Sequence, residues 1–448
     1  MCNAKEINGE NALCVEETMI NKILSRFKNN KEAKNASWLI GGRIAQMVLS
    51  FFVSILTARY LGPGNYGIIS YVNAYVAFFT SLCTLGLNSV IIKDFVDKPE
   101  EQGEAIGTSL AMRFISSFLS ALMILCIVRV VDSDEPTTII IAVLCSISLV
   151  FQVLDTFNYW FQSRYESKVT SIATFVAYAA TALYRIVLLA LQKNVKWFAF
   201  ATSVDYMVLG AILFYAYKKH NGPKLSVSFS KGKSLLGRSY HYILSGMMVA
   251  IYGQTDKFML KQMLDETSVG YYSLASAVNL MWVFVLQAII DSMYPTIMNL
   301  YGKDKKQFER KNRQLYAIVI YVSMAAAVCF VIFAPLVIRI LYGEAYLPAV
   351  NPLRIITWYT IFSYLGVARN AWIVCENKQK YLKYMYLSAS FINVGLNYIM
   401  IPIWGASGAA LASLLTEVCT SLVLPCYWKD MRPNVRLMID AFLLRGVK

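Results

Sequence analysis

The stretch YGQTDKFMLKQMLDETSVGYYSLASAVN, residues 252–279, decides how the whole chain is interpreted. It places Asp256 and Lys257 side by side in a segment that is otherwise typical of a membrane helix. A charge at that depth costs about 2.5–3.5 kcal/mol on insertion scales, so such residues are usually functional or paired. The stretch then turns through the polar residues 265–268 and enters a second apolar run at Val269. It therefore predicts two membrane helices joined by a tight turn, the first of which carries charge.

The composition indicates an integral membrane protein built from helices. Of the 448 residues, 57% are hydrophobic and only 15% are charged, whereas soluble proteins carry about 25% charged residues. Several apolar runs reach the ~20 residues that a helix needs to span a bilayer. They are too continuous for barrel strands, which alternate over ~10 residues, and helices are the other way to satisfy the backbone in lipid. The predicted fold class is an all-α polytopic membrane protein.

About twelve transmembrane helices are predicted. Turn signals rich in Pro, Gly and Asp at 63–64, 134–136 and 405–407 separate helices into hairpins. The predicted spans are 37–57, 68–90, 109–131, 137–158, 169–191, 196–217, 239–261, 269–293, 315–338, 351–373, 384–404 and 408–428.

The distribution of Lys and Arg predicts the orientation. The N-terminal tail, the even-numbered loops and the C-terminus hold thirty of the 42 basic residues, the odd-numbered loops hold six, and six lie inside spans. Positive residues favour the cytoplasmic side, so both termini are predicted to be cytoplasmic. The same distribution accounts for the net charge of +15 without a nucleic-acid partner.

A weak internal repeat divides the chain into two similar halves. YGIISY at 66–71 aligns with VGYYSL at 269–274, and Trp160 aligns with Trp372 at an offset that also carries Asp205 onto Glu417. Six helices per copy give both copies one orientation, which predicts two six-helix bundles related by a pseudo-two-fold axis along the membrane normal. The predicted domains are a cytoplasmic basic tail at 1–35, bundles at 36–217 and 239–428, a cytoplasmic linker at 218–238, and a cytoplasmic tail at 429–448.

Charged residues inside the predicted spans are the first candidates for a functional site. Arg43, Asp205, Asp256, Lys257 and Glu417 lie deepest, and Arg185 is intermediate in depth. They must face a water-filled cavity or each other, because lipid exposure would cost several kcal/mol for each charge. Interhelical ion pairs are the structural alternative. Charges nearer the span ends, Arg113 and Arg369 among them, could equally snorkel to the interface.

Amides and aromatic residues inside the spans form a second candidate set. Asn73 and Asn279 are two of eight Asn and Gln side chains that could hydrogen-bond sugar hydroxyls in a cavity. Equally, they could bond helices to one another, and the sequence does not decide between these roles. Tyrosines within the spans suit sugar rings, although interfacial belts explain most membrane Tyr and Trp.

The sequence carries no enzyme signature. The two histidines, His220 and His241, lie in a basic loop and at a span edge, and no metal-ligand cluster, nucleotide-binding loop or catalytic triad is apparent. Most of the nine cysteines lie within predicted spans, where a disulfide framework is not expected. We therefore predict a protein that is not an enzyme and that uses neither a metal nor another cofactor.

Several segments resemble, in order, the bacterial polysaccharide (O-antigen type) flippases. They include ARYLGPGNYGIISY at 58–71, TDKFML at 255–260 with VGYYSLA at 269–275, FAPLVIRILYGEAY at 333–346 and IPIWGASGAALAS at 401–413. This family belongs to the multidrug/oligosaccharidyl-lipid/polysaccharide exporter superfamily. The resemblance implies two bundles in a V shape, in a bacterial cytoplasmic membrane protein that works by alternating access. Asp256 stands at an acidic position of the family, while Arg43 and Arg185 match its cationic cavity residues by depth alone.

The function implied by the resemblance is transport of an undecaprenyl-diphosphate-linked oligosaccharide from the inner to the outer leaflet. Arg43, Arg185 and Lys257 would bind the diphosphate, with Asn73 and Asn279 lining the cavity, while Asp205, Asp256 and Glu417 would gate or couple transport. The expected partners are that substrate, membrane lipid, a proton or sodium ion, and polysaccharide polymerase and assembly proteins. A cation-coupled multidrug antiporter of the same superfamily is the alternative. A membrane glycan polymerase or ligase is disfavoured because the predicted outer loops are short.

Overall fold

The computed structural model describes the backbone of residues 31–447, and residues 1–30, most of the predicted basic tail, lie outside it. Over 31–447 the chain is helical and contains no strand, which confirms the all-α class. The helices before the linker, which we call the N-terminal half, are α1 Lys31–Cys83, α2 Asn88–Asp97, α3 Gln102–Val131, α4 Pro136–Gln152, α5 Thr156–Ser163, α6 Ser167–Ala190 and α7 Val195–Lys219.

The helices after the linker form what we call the C-terminal half. The linker between helices is shorter than predicted, because α8 begins at Phe229 and part of segment 218–238 is helical. The helices are α8 Phe229–Met263, α9 Glu266–Leu280, α10 Phe284–Leu300, α11 Lys305–Leu341, α12 Val350–Ala368, α13 Asn370–Cys375, α14 Lys380–Trp404, α15 Ala406–Val418, α16 Leu424–Tyr427 and α17 Arg432–Phe442.

The long helical run α1 contains the first predicted hairpin. Gly62 has φ 71° and ψ 171°, a conformation that favours glycine, and Pro63 follows it. Ser54 and Asn73 line one small cavity, although 19 residues of straight helix would separate them by about 28 Å. The chain therefore reverses direction at this break, as the Pro-Gly signal predicted.

Within residues 31–447, eight helices are long and apolar enough to cross a bilayer, and α9 with α10 forms a bent pair that would add a ninth. Because α1 contains two predicted spans, the eight helices and the bent pair together correspond to ten of the twelve predicted spans. The others, 239–261 in α8 and 351–373 in α12, do not meet this criterion. In α8 the reason is physical, since Gln254, Asp256 and Lys257 interrupt its apolar sequence.

Each half has its own packing, and α8 and α9 join them. In the N-terminal half α1 packs on α6, and α4 on α7; in the C-terminal half α12 packs on α11 and α15, and α14 on α15. Helix α8 contacts both α14 and α1, and α9 packs along α1. A large buried apolar cluster consequently draws residues from both halves, including Tyr71, Val269 and Tyr346.

The crossing of α1 and α9 depends on two glycines. A Cβ atom added to Gly67 would strike the carbonyl oxygen of Glu266, and one added to Gly270 would strike the carbonyl oxygen of Pro63. Small residues permit this close approach of helix backbones in membranes. Glu266 and Gly270 each lie 203 residues after Pro63 and Gly67, which is the offset of the sequence repeat. The two contacts are therefore made by corresponding residues.

Buried lysines attach both ends of α8 to the N-terminal half. Near its start, Lys231 Nζ lies 2.6 Å from carboxylate oxygens of both Asp94 and Glu101, and Arg238 pairs with Asp94 at 2.7 Å. Burial would raise the pKa of Asp94, but hydrogen bonds from Lys231 and Arg238 outweigh it and hold this pKa below its usual value. The carboxylate therefore stays charged at neutral pH.

Near the other end of α8, Lys261 Nζ lies 2.5 Å from Glu135 and 3.0 Å from Glu266. Glu135 belongs to the loop between α3 and α4, whereas Glu266 begins α9. Lys261 is buried whereas its two carboxylate partners are partly exposed, so losing these partners would leave a buried charge uncompensated. These ion pairs therefore fix α8 relative to the N-terminal half in this conformation.

We expect Gly67→Ala to lower the thermal unfolding midpoint of the protein in detergent. Overpacking costs about 1–3 kcal/mol, which exceeds the roughly 0.5–1 kcal/mol that replacing a helical glycine with alanine returns. Gly253→Ala is the matched control, because a Cβ there meets nothing within 4 Å. Its midpoint should be unchanged or higher. Equal midpoints for the two variants would contradict the close contact at Gly67.

Candidate functional site

Asp256 is the centre of a buried polar network in the C-terminal half. Its side chain is buried, and Asn397 Nδ2 donates to Oδ1 at 2.6 Å while Asn393 Nδ2 donates to the same oxygen at 3.2 Å. The other oxygen, Oδ2, accepts from Ser413 Oγ at 2.6 Å and from the hydroxyl of Tyr272. Helices α9, α14 and α15 thus each supply donors to one carboxylate on α8.

The local sequence explains this geometry. Asn393 and Asn397 are four residues apart on α14, so both amides project from one helix face. The Asn397 amide also donates to Asn393 Oδ1 at 3.0 Å, while its own Oδ1 is buried without a hydrogen-bond partner. The network therefore contains a buried acceptor oxygen that no group of the described chain satisfies, next to a carboxylate.

The two adjacent charges on α8 do not form a pair. Among the described residues no Lys or Arg lies within ion-pair distance of Asp256, and Lys257 makes no ion pair with any carboxylate. Lys257 is half-buried. The structure places Asp256 inside the C-terminal half rather than against a cavity between halves. A carboxylate held by neutral donors can still accept a proton or a cation.

Glu417 lies in a second polar group of the same half. Tyr252 donates its hydroxyl to Oε1 at 2.9 Å, and Thr420 Oγ1 donates to Oε2 at 3.3 Å. The helix that carries Glu417 continues into a π-helical segment, Cys419–Val423. Such segments occur frequently at functional sites.

Arg369, which the sequence placed near a span end, is buried beside this group. It occupies the break between α12 and α13, and its Nη1 donates to the carbonyl oxygen of Thr420 at 3.1 Å. Arg369 attracts Glu417 electrostatically, yet the two form no ion pair within 4 Å. Interfacial snorkelling therefore does not describe this residue in the structure.

Arg113 is also buried, in the N-terminal half. Only 2% of its surface is exposed, and its guanidinium donates to Thr156 Oγ1 at 2.7 Å and to the carbonyl of Gln152 at 3.2 Å. Both partners flank the 3₁₀ segment Val153–Asp155. Arg113 belongs to the protein interior and not to the interface. The sequence signal for this contact was an arginine in one apolar helix together with a polar interruption in a neighbouring apolar helix.

A polar cavity in the N-terminal half contains two of the predicted binding residues. Arg185 and Asn73 line a space of about 200 Å³ together with hydroxyl-bearing and apolar side chains. Arg185 forms no ion pair with any carboxylate that the structure describes. Asp205 attracts it electrostatically and accepts from Thr181 Oγ1 at 3.3 Å. The remaining lining residues are Ser54, Thr57, Leu61, Tyr66, Ile69, Ser70, Phe198 and Thr202.

Of the other predicted binding residues, Asn279 does not line this cavity. The side chain of Arg43 lies outside the described residues. Asn279 is buried, where its Nδ2 donates to Thr360 Oγ1 at 2.8 Å and its Oδ1 accepts from Trp282 at 3.1 Å. Because these contacts use its amide for packing α9 against α12, the structure favours the interhelical alternative for Asn279.

A third polar group lies where the halves meet near Lys261. Tyr71 donates its hydroxyl to Asp132 at 3.0 Å, and Gln262 Nε2 lies 3.0 Å from the Tyr71 oxygen and 3.3 Å from Asp132. Beside it is a mostly apolar groove of about 370 Å³, lined by both halves and including Tyr75 and Phe258. The halves are therefore held together at this end of the molecule.

Comparison with known proteins gives the chain its family. A family model described as "Polysaccharide biosynthesis protein" matches residues 56–351, about two thirds of the sequence. The chain belongs to this family. A Shigella flexneri protein named "Putative O-antigen transporter" is 21% identical over 426 residues, which cover 89% of this chain and 98% of that protein. These matches confirm the family resemblance inferred from the sequence motifs.

Solved structures share the fold of this polysaccharide biosynthesis protein. An inward-facing multidrug resistance MATE transporter of the MOP superfamily has a TM-score of 0.68 at 14% identity, covering 87% of this chain and 95% of that one. The lipid II flippase MurJ in an inward closed conformation has a TM-score of 0.67 at 14% identity, with coverages of 90% and 91%. The chain therefore shares its overall fold with these two proteins.

We expect Asp256→Asn to destabilise the protein by about 2–3 kcal/mol, because the introduced NH₂ group faces hydrogen-bond donors in a buried site. Thermal unfolding in detergent measures the change. Lys257→Gln is the matched control on the same helix, and it should cost less than about 1 kcal/mol because Lys257 has no ion pair to lose. Equal losses in both variants would show that the network around Asp256 does not hold the helices together.

Proposed function

We propose that this protein is a flippase for an undecaprenyl-diphosphate-linked oligosaccharide, moving it from the inner to the outer leaflet of the bacterial cytoplasmic membrane. The observation that carries the proposal is the Arg185 guanidinium, which has no ion-pair partner among the described residues and lines a cavity that contains several hydroxyl groups and an amide. Family membership and the name of the S. flexneri relative support the same substrate class. Arg43 is proposed as a second diphosphate ligand by its depth in the membrane.

The chemistry of this cavity suits the proposed substrate. Arginine binds phosphate oxygens through two parallel hydrogen bonds, and the low dielectric of a membrane protein strengthens them. Hydroxyl groups such as those of Thr57 and Thr202, together with the Asn73 amide, can exchange hydrogen bonds with sugar hydroxyls. A cavity of about 200 Å³ holds a diphosphate or one sugar, so the rest of the glycan must lie outside it. The unpaired positive charge of Arg185 would repel cationic drugs, which disfavours the alternative of a multidrug antiporter.

The proposed architecture has twelve spans in two six-helix bundles related by a pseudo-two-fold axis, with both termini cytoplasmic. The paired contacts of Gly67 and Gly270 support the axis. Trp160 and Trp372 add support, because both are buried in the short helices α5 and α13 that follow a break in a longer helix. A pseudo-two-fold axis means that the two halves contact each other through equivalent surfaces. Rocking of one half against the other would alternate the access of the substrate from the two sides of the membrane.

Transport of this substrate has a favourable electrical component. A lipid diphosphate carries roughly two negative charges, and outward movement from a negative cytoplasm is downhill by about 2.3 kcal/mol per charge per 100 mV. The return of the empty protein needs a separate driving force. We propose that Asp256 supplies it by binding a proton or a sodium ion, because its carboxylate lies next to the unsatisfied Asn397 oxygen. Asp205 and Glu417 are proposed to gate the two halves.

We expect Arg185→Gln to slow flipping by about tenfold or more, since loss of a charge-assisted hydrogen bond costs about 1.5–3 kcal/mol. The measurement is leaflet accessibility of a fluorescent lipid-linked oligosaccharide in reconstituted vesicles, with Arg43→Gln tested in parallel. Arg185→Lys should retain part of the rate because the charge remains. Arg129→Gln, which removes an exposed arginine of α3, is the control. Unchanged flipping in Arg185→Gln would remove the diphosphate assignment.

The coupling role of Asp256 predicts that an imposed sodium or proton gradient accelerates flipping in the same vesicles. Asp256→Asn should abolish this acceleration, because the amide cannot bind the ion as the carboxylate does. Lys257→Gln should respond to the gradient as the unmodified protein does. Comparing the two gradients at constant membrane potential identifies the ion. A full gradient response in Asp256→Asn would exclude the carboxylate as the coupling group.

A further inference from the structure

The predicted C-terminal tail builds one wall of a charged cleft. We call this the C-terminal cleft; it has a volume of about 510 Å³ and lies between the first turns of α11, the segment 372–378 and the segment 429–440. Tyr427, at the end of α16, is 85% exposed, and Trp428 next to it stacks on Tyr381. Exposed aromatic residues at a span end are typical of the membrane–water boundary. The cleft therefore begins where the membrane ends.

Internal ion pairs leave the cleft with free positive charge. Arg313 binds both Glu309 at 3.1 Å and Asp440 at 3.7 Å, so these two carboxylates share one guanidinium within the cleft. A third carboxylate, Asp430, pairs with Lys378 at 3.2 Å.

Three cations of the C-terminal cleft, Lys305, Lys429 and Arg436, form no ion pair with any residue that the structure describes, and all three are exposed. Among the carboxylates of the lining, Glu376 is the one that has no ion pair within the described residues. The lining holds five basic and four acidic residues, so its net charge is +1. The three unpaired cations suit a phosphate group.

Helix α17 carries an apolar patch on the side that does not contact α11. Val435 and Met438 are buried, whereas Ile439, Phe442 and Leu443 are each about half exposed, at 49%, 52% and 48%. Together with Leu444 these exposed residues form what we call the α17 patch. An exposed cluster of large apolar side chains marks a contact with lipid or protein.

The position of α17 decides between these two contacts. Asn434 donates to the hydroxyl of Tyr316 at 2.7 Å, and Tyr321 donates to the carbonyl of Phe442 at 2.8 Å. Both tyrosines lie in the part of α11 after Arg313 that has no charged residue before Arg339. Tyr321 is eight residues beyond Arg313, or about 12 Å along the axis. The α17 patch is thus at the depth of the hydrocarbon layer that lies next to the lipid headgroups, where lipid covers it.

We propose that the C-terminal cleft binds the headgroup of an anionic phospholipid, with the α17 patch inserted beside its acyl chains. An amphipathic helix at an interface buries its apolar face about 5–10 Å deep and gains from anionic lipid. The unpaired cations Lys305, Lys429 and Arg436 supply the charge that recognises the phosphate. The leaflet is cytoplasmic if the predicted orientation holds. This site is separate from the cavity at Arg185 and does not depend on the proposed transport function.

The test compares phosphatidylglycerol with phosphatidylcholine of the same chain length, added to the full-length protein in detergent. The shift of the thermal unfolding midpoint during the titration gives the binding preference. Because each basic residue near an anionic surface contributes about fivefold, the triple variant K305Q/K429Q/R436Q should lose at least about tenfold of the preference for phosphatidylglycerol. The charge-conserving variant K305R/K429R/R436K should keep most of it. A triple variant K219Q/K224Q/K233Q, which removes three exposed lysines elsewhere, is the matched control and should keep the preference.

Hydrogen exchange of residues 432–444 in nanodiscs provides a readout of the lipid contact itself. Exchange should be slower with phosphatidylglycerol than with phosphatidylcholine, and K305Q/K429Q/R436Q should remove the difference. Equal exchange in both lipids, or the same loss in the control variant, would overturn the proposal. Competition by inorganic phosphate alone would also overturn it, because the site would then bind free phosphate. Tighter binding of undecaprenyl diphosphate, abolished by K305Q/K429Q/R436Q, would overturn it as well, because the site would then bind the transported lipid.

Discussion

A carboxylate inside a membrane protein must find its hydrogen-bond donors within the protein, and Asp256 obtains four of them from three helices. Tyr272, Asn393, Asn397 and Ser413 all donate to it. Each helix must keep its rotation and depth for this arrangement to exist, so one residue of α8 sets the register of α9, α14 and α15. The same requirement means that any change of charge at Asp256 is felt by all four helices at once. A proton or cation bound there would act on helix packing directly.

The buried arginines must likewise find their hydrogen-bond partners within the protein, but as cations they need acceptors instead of donors. Arg113 donates to the carbonyl of Gln152, next to a 3₁₀ segment, and Arg369 donates to the carbonyl of Thr420, within a π-helical segment. A regular helix uses its carbonyls internally, so irregular segments are the places where carbonyls are free to bind a cation. The buried arginines therefore depend on the helix breaks, because the breaks supply the free carbonyl oxygens that the guanidinium groups need.

This dependence explains what the sequence could predict. The spans and the signal for the first hairpin at Pro63 and Gly64 follow from composition and backbone chemistry, which are local properties. Whether Asn279 or Asn397 meets a partner depends on how each helix is rotated, and that is fixed by contacts between residues more than a hundred positions apart. For the same reason Arg113 and Arg369 were indistinguishable from snorkelling residues. Arg185 and Asn73 do line one cavity, but it lies within the N-terminal half and not between the halves, and the contacts that surround Asp256 likewise required the structure.

The connection between the two halves combines strong and weak elements in a way that suits movement. Buried apolar residues of both halves, such as Tyr71 and Val269, favour contact, but at Gly67 and Gly270 the helices touch through backbone, without interlocked side chains. Helix α8 is held to the N-terminal half by Lys231, which pairs with Asp94 and Glu101, and by Lys261, which pairs with Glu135. When such pairs separate at an aqueous end of the helix, water can hydrate both partners, which lowers the cost of separation relative to a pair in lipid. The ion pairs lie at the two ends of α8 and the neutral donors of Asp256 lie between them. The middle of the helix can therefore keep its partners while an end exchanges them.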